Sequence, residues 1–538
     1  MTGVARLHEL AAEYYGWLFE EHPVLGSEVG RHDGDGRLCD TSPDAVRRRR
    51  EHIADFRRRH GEIPTTGWGA EDFADHELFA AALERAEFAD QVLRRESRDP
   101  QLYVEECLNG VFSLLKKEYA PKPVRMRAAT ARLDAMPGLL AQARENLTEA
   151  VRLYADLAAE GVDGAEPLFT TSLELLAEGS PETAIRGMRL ARDGALSALR
   201  DFAAHLRARR ERMRPDFAMG PAAFSRWLAR VLLIPLAPGQ VVALGEAELA
   251  RSRATQAWLA GPAAGARRPL PPAGQDEFLR TYEAHTEGIV RFLRERNILT
   301  VPDSIGPFLC RQLPDAFKPT YPGGFMNPPG VFDSDPSGFY FIPAYDPNPR
   351  NFFLRAAIED PRPILGHEGI PGHHLQISLA NRHPSPVRRH HDDGAFIEGW
   401  ALYTEEMLDR CGLYDDRPDT RAQVMQLLRM RAARIAVDVR LATGEWDFGQ
   451  AVDYFIKEGG LDSEAARGEA AGAAAMPGYK IQYLVGKWQI ERLLGIVRER
   501  EGAAFSLRRF HDRLLSFGSI PVAIIERLML ADRASGGT

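Results

Sequence analysis

Apolar residues recur at spacings of three and four through most of this chain, and the recurrence fails in one window, between residues 300 and 350. That pattern admits amphipathic helices almost everywhere else. Residues 7–21 carry an apolar face of Leu7, Leu10, Ala11, Tyr14 and Leu18, and residues 102–117 carry another. Residues 44–59 are charged throughout and read as a solvent-facing helix. The spacing predicts two antiparallel helices over 125–160, broken near Pro137, and a long amphipathic helix over 181–210. Residues 261–274 (GPAAGARRPLPPAG) read as a loop, and helical patterning resumes over 278–296. The exceptional window is too rich in Pro, Gly and Asp for a helix. Within it, Gly338–Ile342 (GFYFI) is a strand bounded by turn signals. Helical spacing returns from residue 362 to the end. The fold class is therefore mostly α, with a small β region.

Composition narrows the function. The 538 residues, 44% of them hydrophobic, suffice for a large core. A net charge of -8 argues against a nucleic-acid partner, which calls for a basic surface. No stretch of about 18 apolar residues predicts a membrane span, and the first residues lack a secretory signal pattern. Cys39, Cys107, Cys310 and Cys411 are too dispersed for a disulfide framework or a paired-cysteine zinc site. These features predict a cytoplasmic enzyme acting on a small or peptide-like substrate.

One segment carries chemistry. A catalytic zinc needs three protein ligands and an open position, and the short form places two histidines four apart on one helix face. Here His367-Glu368 is followed by Pro371, and the next histidines are His373 and His374. On a regular helix six residues turn about 240° and seven about 340°, which favours His374. Pro371 and Gly372 predict a bulged turn that returns His373 instead. Glu398 opens the helical run EGWALYTEE and is a third ligand candidate on the next helix. Glu368 is then placed to act as general base on a zinc-activated water.

GHEGIPGHHLQ followed by FIEGWALYTEE resembles the bacterial proteins classed as domain of unknown function 885 (DUF885). EEHPVLGSEVGRHDGDGRLCD, RLDAMPGLLAQARENL, YLVGKWQIERL and FSLRRFHDRLLSFGSIP extend the likeness over nearly the whole chain. The resemblance implies a single catalytic unit over residues 1–538, mainly helical over residues 1–299 and catalytic over residues 300–538. It implies a gluzincin-like, neurolysin-like helical fold with the β region beside the cleft, and an edge strand at 339–343 able to hold an extended peptide. It also implies Zn2+ held by His367, His373 and Glu398, with Glu368 as base. Tyr483 stands where the family has a tyrosine and is expected to support an oxyanion. Tyr479, four residues earlier, would share its helix face.

Two departures bear on the substrate. The family pattern has Arg-Tyr where Gly472 and Ala473 stand, and a histidine where Ala442 follows Asp438-Val439-Arg440-Leu441. The reading that follows is a zinc hydrolase of a peptide or peptide-like small molecule. The alternatives are a metal-dependent tailoring enzyme of a small-molecule pathway, or a non-catalytic binding protein on a peptidase scaffold. Residues 388–393 (RRHHDD) read as a polar loop beside the cleft. Arg431, Arg434 and Arg440, on a helix expected over 422–441, are candidates for a substrate carboxylate, with pairing to local acids the alternative.

Overall fold

The computed structural model describes residues 2–259, 272–313 and 324–531. Most of the loop expected over 261–274 lies outside them. Helix α1 (Gly3–Glu21) buries Leu7, Leu10, Ala11 and Tyr14, the stripe read from the sequence, and Thr2 caps it by accepting from the Ala5 amide. The charged helix expected over 44–59 spans Pro43–Gly61; it is not wholly solvent-facing, because it buries Ala45, Arg49, Phe56 and His60. Next come α2 (Ala70–Phe88), α3 (Pro100–Leu115) and α4 (Lys122–Asn146).

Helix α4 corrects one expectation: Pro137 lies inside it, and the chain turns only after Asn146. Pro137 is on the exposed side, while neighbouring Met136, Leu139 and Leu140 are buried. Their burial outweighs the missing hydrogen bond. The long helix α5 (Glu182–Arg209) packs on α3 and α4 in one apolar cluster. Helices α6 (Pro238–Leu259) and α7 (Gln275–Glu295) follow.

The window that resists helix forms a three-stranded sheet. Strands β1 (Phe308–Gln312), β2 (Phe325–Asn327) and β3 (Gly338–Ile342) lie in the order β1-β3-β2. β3 runs parallel to β1 and antiparallel to β2. It is therefore the central strand, its backbone paired on both sides, and it is not the peptide-holding edge expected at 339–343. All five β3 residues are buried. Phe339 and Phe341 join the core of α3, α4 and α5, while Tyr340 and Ile342 join the core that holds α1 and α2. A strand sandwiched this way reads as unbroken hydrophobicity.

The remainder is again helical: α8 (Arg362–Glu368), α9 (His373–Ala380), α10 (Gly394–Arg410), α11 (Pro418–Thr443), α12 (Ser463–Ala475) and α13 (Gln482–Glu501). The largest core joins α1 and α2 to α10, α11 and α13, so residues from both ends of the chain share it. α10 and α13 cross at Gly399 and Gly486. A Cβ on Gly486 would stand 1.6 Å from the Ala395 carbonyl oxygen, so the two backbones touch only because that position is glycine. The fold is mostly helical with one small sheet.

Candidate metal centre

Helix α8 ends at Glu368 and α9 begins at His373. The bulged turn expected within one helix is a complete break between two. Pro371 has no N–H to donate, and Gly372 packs directly on the end of α8. A Cβ on Gly372 would lie 1.8 Å from the His367 carbonyl oxygen and 2.5 Å from that of Gly366. Trp400 Nε1 donates to the Pro371 carbonyl at 2.7 Å and holds the break against α10.

The break directs two imidazoles at one carboxylate. His367 Nε2 lies 3.6 Å from Glu398 Oε2, and His373 Nε2 lies 3.4 Å from the same oxygen. The two rings are nearly perpendicular, at 84°, with centroids 4.7 Å apart. All three residues are buried, and among the described residues they form the one His/Cys/Asp/Glu group whose ligand atoms converge, within 4.8 Å of each other. Glu398 Oε2 has no hydrogen-bond partner, although it is buried. A tetrahedral ion with bonds of about 2.0–2.2 Å would set its ligand atoms about 3.3–3.5 Å apart. The separations of the two histidine nitrogens from Glu398 Oε2 fit a metal of that geometry. Burial opposes ionisation of Glu398, but His373 and His367 outweigh it and hold the carboxyl well below the usual range.

His374 faces away. Its Nε2 meets the Gly306 carbonyl at 2.7 Å and its ring packs on Phe308, so His373 is the histidine brought to Glu398. Glu368, the expected base, is half-buried beside Tyr340 and makes no hydrogen bond or ion pair with any described residue.

Residues 23–529 match the family described as bacterial proteins of unknown function, DUF885. The chain belongs to the DUF885 family. No curated protein matches it. Two solved structures share its fold. One, from Shewanella oneidensis and described as a candidate lipoprotein of unknown function, is 20% identical with a TM-score of 0.78, covering 97% of this chain and 99% of its own. The other, a candidate lipoprotein from Colwellia psychrerythraea, is 18% identical with a TM-score of 0.83, covering 99% and 100%. No described helix of the DUF885 chain is long and apolar enough to cross a membrane.

Further residues complete the centre of this DUF885 protein, and the sequence reading missed them. Glu405, 1% exposed, sets Oε1 2.8 Å from His367 Nδ1 and 2.8 Å from Arg431. It lies seven residues after Glu398, and that spacing on α10 was the available signal. Thr404 donates to the Gly366 carbonyl at 3.1 Å, so α10 grips α8 at several points.

The tyrosines exchange weight. Tyr479, in the turn before α13 and not on it, donates its hydroxyl to Glu398 Oε1. Tyr483 stacks its ring on His367 with centroids 6.3 Å apart, and Arg434 lies 4.6 Å over it. The three α11 arginines have acids for partners: Arg431 takes Glu405, Arg434 takes Glu469 at 2.7 and 2.8 Å, and Arg440 takes Glu246 at 3.2 Å. Residues 388–393 do not form a plain loop. Arg388 pairs with Asp75 in the interior, His390 packs at a tilt against Tyr15, and Asp393 caps α10. Gly472 and Ala473, where the resemblance leads to an expectation of Arg-Tyr, sit on α12, and a Cβ on Gly472 would come within 3.2 Å of the Lys480 stem.

A cavity of about 410 Å³ opens on Glu398 and Tyr479, and a second of about 620 Å³ adjoins it. They share Arg85, Asp392 and Ile397 in their walls.

Proposed function

We propose that this DUF885 protein is a cytoplasmic zinc-dependent hydrolase of gluzincin type, on a neurolysin-like scaffold, that cleaves an amide bond in a peptide or peptide-like small molecule. The observation that carries the reading is the convergence of His367 Nε2, His373 Nε2 and Glu398 Oε2 at metal-ligand separations beside a cavity. The four unpaired cysteines agree with a reducing compartment.

Zinc, when bound, supplies Lewis acidity toward a carbonyl and makes water acidic near neutral pH. The Glu405 carboxylate at His367 Nδ1 keeps a proton on that nitrogen, which leaves the Nε2 lone pair for coordination. The Tyr479 hydroxyl occupies Glu398 Oε1 and leaves Oε2 as the donor. Glu368, unpartnered and next to His367, takes a proton from the attacking water and passes it to the departing amine nitrogen. The Tyr483 ring is held between His367 and Arg434, and its hydroxyl donates to the carbonyl oxygen as negative charge develops there.

The second reading keeps the metal and changes the reaction to a tailoring step of a small-molecule pathway. It is favoured by Gly472 and Ala473, which remove two side chains that the family would offer a peptide, with Lys480 lying against the vacated position.

Metal analysis by inductively coupled plasma mass spectrometry, joined to a peptide-library digest, tests both. About one zinc per chain, lost in His367→Ala, with cleavage abolished in zinc-bearing Glu368→Gln, supports the hydrolase. A protein that takes up no metal sinks both readings. Zinc without cleavage of any peptide moves the assignment to the tailoring enzyme or to a non-catalytic protein.

A further inference from the structure

Arg85 stands in the last turn of α2, at the junction of the two cavities. It makes no hydrogen bond or ion pair with any described residue. The neighbouring arginines and Lys480 are engaged. Arg431 is held by Glu405, Arg434 and Lys480 by Glu469, and Arg95, in the wall of the smaller cavity, by Asp99. In the larger cavity Arg389 donates to the carbonyls of His383 and Pro384, while Lys116, in the same wall, is also without a hydrogen bond or ion pair to any described residue but offers a point charge in place of a planar fork. The Asp392 carboxylate shares that wall, and the Arg85 charge acts on it and on Asp393, but neither carboxylate makes a hydrogen bond or ion pair with the guanidinium. A guanidinium left without an acceptor at the waist of a cleft is a site for a planar anion, which it meets with two parallel N–H donors.

The two cavities differ in what they can take. The smaller one reaches the ligand Glu398 and its partner Tyr479. The larger one is walled by Tyr14, Tyr15, Leu18 and Phe19, with the His390 ring packed among them. A sphere of the smaller cavity's volume is about 9 Å across; a metal–oxygen contact of about 2 Å and an N–H···O contact of about 3 Å at its two ends leave about 4 Å, the length of one residue.

We infer that Arg85 binds the free carboxylate at the end of the substrate, so that the centre removes a terminal residue whose apolar side group enters the aromatic-lined cavity. This deepens the hydrolase reading and rests on it for the bond that is cut. The last amide C–N bond breaks, water supplies OH to the carbonyl carbon and H to the nitrogen, and the products are a shortened acid and a free amino acid. The carboxylate site itself is a matter of binding and can be tested apart from turnover.

The probes are benzoyl-glycyl-phenylalanine and its C-terminal amide, titrated calorimetrically into Glu368→Gln protein. That protein is expected to bind the acid at least about tenfold more tightly than the amide. Adding Arg85→Gln is expected to erase the preference and leave affinity for the amide within about twofold, while Arg85→Lys keeps the charge without the fork and is expected to fall between. An unchanged melting temperature shows that the variants are folded. Equal affinities for acid and amide, a preference that survives Arg85→Gln, or no binding of either at millimolar concentration overturns the inference. If the acid preference is present but zinc-loaded wild type cleaves nothing, the carboxylate site stands and the hydrolase reading falls. If wild type cleaves C-terminally amidated peptides as fast as free acids, the hydrolase reading stands and this inference falls.

Discussion

Glu405→Gln separates zinc binding from folding at this centre. Glu405 contacts two groups at once, His367 Nδ1 and Arg431, each at 2.8 Å and with the carboxylate 1% exposed. Replacing the carboxylate by an amide keeps the shape and removes the charge. On the metal side, loss of such an outer carboxylate weakens affinity about 10- to 100-fold, or about 1.4–2.7 kcal/mol. On the folding side, a buried guanidinium that loses its counter-ion costs up to about 3–5 kcal/mol. The amide oxygen can still accept a hydrogen bond, so the stability loss should fall below that figure. Adding Arg431→Gln removes the stranded cation, so the double variant should regain most of the stability and none of the zinc affinity. Competition for zinc against a chromophoric chelator reads the first quantity, and guanidinium unfolding without metal reads the second. Zinc affinity within twofold of wild type in a folded Glu405→Gln protein would falsify the claim that Glu405 tunes the ligand. Recovery of affinity in the double variant would show instead that the loss came through misfolding.

Four other outcomes are expected. His374→Ala loses a buried hydrogen bond and its packing on Phe308, and should destabilise by about 2–4 kcal/mol while still binding one zinc; loss of zinc there would return His374 to the ligand set. Gly372→Ala places a Cβ 1.8 Å from the His367 carbonyl oxygen and should lose zinc or fail to fold; a thermal melt matching wild type, with zinc retained, contradicts that packing. Tyr479→Phe frees Glu398 Oε1 and should lower zinc affinity, whereas Tyr483→Phe should lower kcat about 100-fold with zinc affinity unchanged; the reverse pattern in the chelator and rate assays would exchange their roles. Burial would raise the Glu469 carboxyl, but Arg434 and Lys480 outweigh it and hold it down at about 2, from 4.5 when unpaired. Its stabilising contribution is therefore whole above about pH 4.5 and is lost as pH falls toward 2, so the stability gap between wild type and Glu469→Gln should shrink from pH 6 to pH 3; a constant gap in denaturant titrations counts against it.

Residue types and spacing singled out His367, Glu398 and the pair His373-His374 as candidates, because the capacity to hold a metal is chemical and survives in the sequence. The chosen histidine was another matter. Helical rotation favoured His374, and the chain places His373 at the carboxylate because the helix stops at Glu368 and restarts after Gly372. Arg431, Arg434 and Arg440 were open to two readings, and the acids that decide them come from other elements. Glu405 was half legible, seven residues after Glu398, but its contact with His367 exists only once α10 lies across α8.

The same division runs through the whole molecule. Local patterning determined most of the helices, the strand Gly338–Ile342 and an irregular turn at Pro371, because these depend on near neighbours along the chain: apolar spacing, ring constraints and turn residues. Tertiary structure decided that β3 is central, since its partners come from distant segments. It decided that Pro137 stays within a helix, since burial of the flanking residues offsets the lost bond. It also decided that Arg85, from the N-terminal helices, shares a cavity wall with Glu398 and Tyr479 of the C-terminal part. Contacts between residues hundreds of positions apart are selected by shared burial and charge, which no local spacing records.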